Sequence, residues 1–104
     1  MDSVIEEMQG KELFIQLFSV ENCGNSFEIK MKCTDKKGGL YSVVFKNASK
    51  INIKEVSLPF QICGFEIIDN TARGYQSDCR YFVNDYEDGR LSFNCEEILT
   101  LGTK

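Results

Sequence analysis

The sequence predicts a mainly β domain, an antiparallel sheet folded as a sandwich or partly open barrel, with one short N-terminal helix. Three observations carry that expectation. Phe27, Ile29, Met31 and Cys33 alternate with Glu28, Lys30, Lys32 and Thr34, the period of two expected of a strand with one face in the core and one in water. Arg80 to Cys95 alternates about Asp88-Gly89 and reads as a hairpin with an acidic tip, because both central residues of a two-residue type I′ turn need positive φ and Asp and Gly tolerate it best. The rest divides into about seven short apolar segments with turn formers between them.

Taken in order, Ser3 and Glu6 have the Ser-x-x-Glu spacing of a capping box, Val4, Ile5 and Met8 share a helical face, and Gly10 is placed to end the turn. A helix this short needs tertiary packing to persist. Glu12 to Val20 is apolar on both alternating phases, with Leu13, Ile15 and Leu17 on one and Phe14 and Phe18 on the other. That pattern fits a strand covered on both sides or a short buried helix. After the strand at 27–34, Asp35 to Gly39 turns the chain into a second segment, Leu40 to Lys46, with Tyr41, Val43 and Phe45 in phase. Ile51 and Ile53 alternate with Asn52 and Lys54, and Phe60 to Ile68 is a further apolar segment in which Gly64 marks a bulge or a close approach. From Asp69 to Asp78 the pattern stops, so this stretch reads as a loop, the kind of element on which recognition residues concentrate.

Composition bounds what such a sheet belongs to. At 104 residues the chain is one domain, 1–104, large enough to bury a core without disulfides or a metal. Hydrophobic residues make up 42%, with eight Phe and a single proline, which is wrong for a solvated random chain. The start Met1 to Glu7 lacks the basic-then-apolar pattern of a signal peptide, and no run of eighteen apolar residues occurs. The expectation is a soluble, cytoplasmic protein that does not enter a membrane.

The five cysteines, Cys23, Cys33, Cys63, Cys79 and Cys95, are odd in number and contain no Cys-x-x-Cys pair, so neither a disulfide framework nor a zinc ribbon is encoded. Cys33 and Cys95 fall in phase with apolar neighbours, where cysteine acts as a small hydrophobe. The Asn47-Ala48-Ser49 sequon matters only in a secreted protein.

Charge is unevenly spread. Residues 1–54 carry eight Lys against seven acids, whereas residues 55–104 carry four basic residues against nine acids. An acidic surface around the final strands disfavours phosphate backbones and anionic lipid, and nucleic acid is not an expected partner.

Catalysis lacks its usual parts. There is no histidine, which removes the commonest general base, the Ser-His and Cys-His pairs and the commonest metal ligand. Asp85 and Glu87, two apart on one strand face, have the proximity that makes an acid and base pair, but a solvated hairpin tip keeps both charged. Asp85, Glu87, Asp88 and Glu96 follow an EF-hand loop only loosely, with Gly89 where a ligand is needed. Gly38-Gly39 opens no phosphate loop. No cofactor and no catalytic residue is expected.

The segment Ile62 to Asp69 and the segment Arg80 to Ile98 together resemble a group of small uncharacterised bacterial proteins. In that group a Gly-Phe-x-Ile-x-Asp stretch precedes an Asp-Tyr-Glu-x-Gly-x-Ile-Ser-Phe-x-Cys pattern; here Leu91 replaces the Ile. Some members look like immunity proteins that accompany secreted toxins, so the resemblance, which covers about the last 45 residues as one supersecondary unit, implies an inhibitor and no catalytic residues.

The expected function is a non-enzymatic protein-binding module, in the form of an immunity-type inhibitor of a basic partner. Its expected partner-binding residues are Arg73, Tyr75, Tyr81, Asp85, Tyr86, Glu87 and Asp88, aromatic, Arg and carboxylate groups of the kind that anchor interfaces and steer association. Two other classes compete: a small-ligand or carbohydrate-binding β-domain with an aromatic-lined concavity, and a structural homodimer paired through edge strands.

Overall fold

A computed structural model describes residues 3–54, 60–70, 80–87 and 89–103. The chain begins with helix α1 (Ser3–Met8), followed by eight strands: β1 (Leu13–Asn22), β2 (Phe27–Thr34), β3 (Leu40–Ile53), β4 (Gln61–Ile62), β5 (Phe65–Asp69), β6 (Tyr81–Asp85), β7 (Leu91–Cys95) and β8 (Glu97–Thr103). They form one antiparallel sheet in the order β4-β1-β2-β3-β7-β6-β5, with β8 also paired to β3. The sheet is not closed into a barrel.

β3 organises it. The two segments expected at 40–46 and 51–53 are one 14-residue strand, because the Asn47 to Lys50 stretch bends the strand without ending it. Asn47 and Lys50 have φ of 53° and 51°, and pairing registers shift on both edges of the strand there. Asn47 is held on both sides, accepting from Ser26 Oγ at 2.9 Å and donating to Glu96 Oε2 at 3.1 Å. Before the bend β3 pairs with β2 and β8, and after it with β7. The bend folds the two halves of the sheet over a common core, where the Phe45 and Phe93 rings meet edge to face at 4.9 Å.

The alternation holds from Ile29 on: Ile29, Met31 and Cys33 are buried while Lys30 and Lys32 are exposed, but Phe27, expected on the core face, is 42% exposed, because the register with β3 shifts between Phe27 and Ile29. Glu12 to Val20 is a strand, but it is not covered on both faces. The register with β2 shifts between Ile15 and Leu17, so Gln16 is a bulge, and inward positions pass from Leu13 and Ile15 to Phe18. That phase change makes the segment look apolar all round, and it leaves Leu17 43% exposed on the outer face. β8 was not anticipated: it continues from β7 past Glu96 with no turn former to announce it, and Glu96 N–H donates to Lys46 O at 3.0 Å.

The two ends of the sheet meet without a ladder. Gly10 N–H donates to Phe65 O at 2.7 Å and Phe65 N–H to Lys11 O at 3.3 Å. One step along the same edge of β5, the Gln9 side chain bonds both the N–H and the C=O of Ile67 at 3.0 Å. A side-chain amide thus stands in for a neighbouring strand and blunts an open edge. α1 brings Ile5 and Met8 into the core at this end, the tertiary packing that so short a helix requires.

Gly64, between β4 and β5, is the close approach expected from its place in an apolar run. A Cβ there would lie 2.7 Å from the Tyr86 ring, and Tyr86 N–H donates to Gly64 O at 2.9 Å. Gly64→Ala should therefore cost about 1–3 kcal/mol by displacing the ring. In a Tyr86→Ser background most of that cost should vanish, a coupling that a double-mutant cycle in urea would read.

Cys33 and Cys95 are fully buried, and burial pushes both thiols up to about 12, with the Asp35 charge adding to the effect at Cys33. Cys23 is exposed. Iodoacetamide at pH 8 should accordingly label Cys23 in the folded protein and reach Cys33 and Cys95 only in denaturant, as peptide mass mapping would report.

Candidate functional site

Three regions of the surface gather polar or apolar side chains from distant parts of the chain. The first is the β6–β7 connection, where the sequence placed the partner-binding residues. Asn84 faces Ser92, which leaves an odd number of residues between them. A two-residue turn at Asp88-Gly89 needs an even number, so the type I′ reading is corrected to a wider connection over 86–90. In it Gly89, with φ of 62°, donates its N–H to Asp85 O at 2.9 Å.

Asp85 is not part of an exposed carboxylate surface: it is 1% exposed. It continues the inward phase of Tyr81 and Val83, and its carboxylate accepts from Gly64 N–H at 3.3 Å and Arg90 N–H at 3.4 Å. It ties the 63–64 turn to the hairpin, as a buried carboxylate must find donors. The alternation Tyr81-x-Val83-x-Asp85 carried that signal. Tyr81 is half-buried against the core, with the Arg80 guanidinium 5.0 Å from its ring centroid. Tyr86 is 51% exposed and Glu87 is exposed, but Tyr86 lies across Gly64, and Lys54 Nζ comes within 3.7 Å of a Cβ built at Gly89. The charge at this end is mixed. Arg73, Tyr75 and Asp88 lie outside the described residues.

The second region is the corner between the start of β1 and the 35–39 turn. Tyr41 Oη donates to Asp35 Oδ2 at 2.8 Å, and Lys11 Nζ donates to Tyr41 Oη at 3.1 Å and to Asp35 Oδ2 at 3.3 Å. Asp35 also accepts from the backbone N–H groups of Lys37 and Gly39, which fixes the turn. A cavity of about 170 Å³ opens here among Lys11, Glu12, Asp35, Lys36 and Lys37. Two of its three lysines are answered internally, since Lys36 pairs with Glu12 at 2.9 Å as Lys11 does with Asp35. This corner is a polar clamp on the fold.

The third region was not anticipated. On the outer face of β1, β2, β3 and β8, side chains lie in rows set by the registers: Leu17 beside Lys32 and Ser42, and Ser19 beside Lys30, Val44 and Leu99. Leu17, Ser19, Lys30, Lys32, Ser42 and Val44 border, with Leu101, an open groove of about 260 Å³. Leu99 is 41% and Leu101 66% exposed, whereas Val44 in the floor is 7% exposed. Leu17 is there because of the bulge at Gln16, and Leu99 and Leu101 because of β8, so the two features hidden in the sequence are the ones that build the groove.

No helix among the described residues is long and apolar enough to cross a membrane. No protein-family model, curated protein or solved structure matches the chain.

The polar clamp sets a pH dependence. The Tyr41 hydroxyl, then the Gly39 N–H, Lys11 and the Lys37 N–H hold Asp35 down at about 2, against an ordinary value of 3.8. A carboxylate lowered on folding stabilises the fold above its ordinary value, and that contribution disappears as pH falls through its folded value. Wild type should therefore lose its advantage over Asp35→Asn between about pH 4 and pH 2, converging below that range in thermal melts.

Proposed function

We propose that this chain is a non-enzymatic protein-binding module whose docking face is the outer-face groove of β1, β2, β3 and β8. The single observation that supports the reading is that two leucines from opposite ends of the sequence, Leu17 and Leu101, are left exposed around one concavity, with exposed Leu99 on the same face beside Val44. Single exposed apolar residues are ordinary, but a contiguous apolar concavity rimmed by polar groups is the mark of an interaction site. Fully burying a Leu side chain contributes roughly 1.5–3 kcal/mol, so covering the two part-exposed leucines supplies on the order of a few kcal/mol to an interface.

An immunity-type inhibitor is one form such a module takes, and the resemblance of the last third of the chain supports that form. The basic partner expected at an acidic hairpin has less support, because Asp85 is buried and structural while the groove itself carries lysines. The electrostatic complement of the groove's own lining, Lys30 and Lys32, is acidic.

Affinity capture from the protein's native cells, comparing wild type with a Leu17→Asp/Leu101→Asp variant, tests the reading. Both side chains are exposed, so the variant should keep its thermal midpoint within a few degrees. It should retain at least tenfold less of whatever wild type captures, while Glu87→Lys retains it. Undiminished capture by the groove variant, with loss on Glu87→Lys, would return the site to the hairpin.

A further inference from the structure

Resting on the groove reading, we infer that the occupant is an amphipathic α-helix of a protein partner, with its apolar stripe flanked by carboxylates. Width selects a helix. The groove runs from Leu17 on β1 to Leu101 on β8, three strand spacings or roughly 14 Å, and a helix with its side chains is roughly 10–12 Å across. A single extended strand, at about 4.8 Å per spacing, would touch one wall and leave the other wet. Ser19 and Ser42 keep the floor low between the leucine walls, as a helix ridge requires.

Charge selects the flanks. Lys30 and Lys32 stand on β2 between the two apolar walls. Lys30 is paired at the surface with Glu21 at 3.3 Å, and Lys32 forms no ion pair among the described residues. Both lysines line the groove and are exposed, and on apolar surface a lysine lays its aliphatic stem along the surface and keeps its ammonium group in water. A partner acid beside the apolar stripe meets them there.

Glu21, Glu28 and Glu97 belong to the same outer face at one end of the groove, so the partner's acidic flank is placed toward Lys32, away from that end.

The probes are three synthetic 16-residue helical peptides with one leucine stripe, flanked by Glu, Gln or Lys, read by fluorescence anisotropy and by methyl NMR. The Glu peptide should bind, shifting the Leu17, Val44 and Leu101 methyls, about tenfold more tightly than the Gln peptide, as two partly screened ion pairs allow. Lys32→Glu, an exposed substitution, should reverse the order of the Glu and Lys peptides. Equal binding of all three, shifts confined to other surfaces, or flotation with phosphatidylserine vesicles while no peptide binds would each overturn the inference. If no peptide binds yet the Leu17→Asp/Leu101→Asp variant still loses its captured protein, the occupant is wrong and the groove reading stands.

Discussion

Everything in this molecule depends on β3 staying a strand through its own bend. Two non-glycine residues with positive φ, Asn47 and Lys50, sit within three positions of each other in a 14-residue strand, a conformation unfavourable to most side chains. Asn is among the residues that tolerate it, and its amide is held by Ser26 and Glu96. Because the strand bends there and continues, one face of both its halves turns inward and Phe45 can reach Phe93. Had the chain broken into two strands at a loop, the halves would have been free to separate.

The second constraint is the seam where the sheet fails to close. A few groups hold it: Gly10 and Lys11 through backbone bonds to Phe65, Gln9 through its amide to Ile67, and Asp85 through the N–H groups of Gly64 and Arg90. Each satisfies backbone that would otherwise be left unpaired, which costs more than the bond itself is worth. Tyr86 lies across Gly64 because no Cβ stands in its way. The hairpin end is thus committed to holding the fold, which is a physical reason for an exposed tyrosine and a buried acid at the place that composition alone marks out for recognition.

Legibility in the sequence followed from how local each feature's cause is. The β class, the short helix, the β2 alternation and the buried Cys33 and Cys95 were readable because a single strand or helix period produces them. The bulge at Gln16, the β3 bend and β8 were not, since each is decided by the partner strand: the register of Leu17 with Lys32, of Asn52 with Ser92, of Val44 with Leu99. Asp85 was misplaced for a different reason. Its charge suggested water, while its phase with Val83 pointed inward, and here phase prevailed because two N–H donors waited at the end of the strand.

The groove and the fold are made by the same irregularities, and that bears on which surface is free to evolve a function. A regular β1 would keep a single inward phase and place Leu17 with Leu13 and Ile15 in the core; the extra residue at Gln16 turns it out beside Lys32. A β3 paired only with β2 and β7 would leave its outer face without the Leu101 wall, and without Leu99 beside Val44, that β8 supplies. Neither leucine belongs to the core cluster, and on β3 the outward Ser42 and Val44 already alternate with buried Val43 and Phe45. Polar residues at Leu99 and Leu101 would serve the fold equally well and would remove apolar surface that invites misassociation. The apolar choice at positions where the fold is indifferent is the reason to place recognition on this face and structure at the seam.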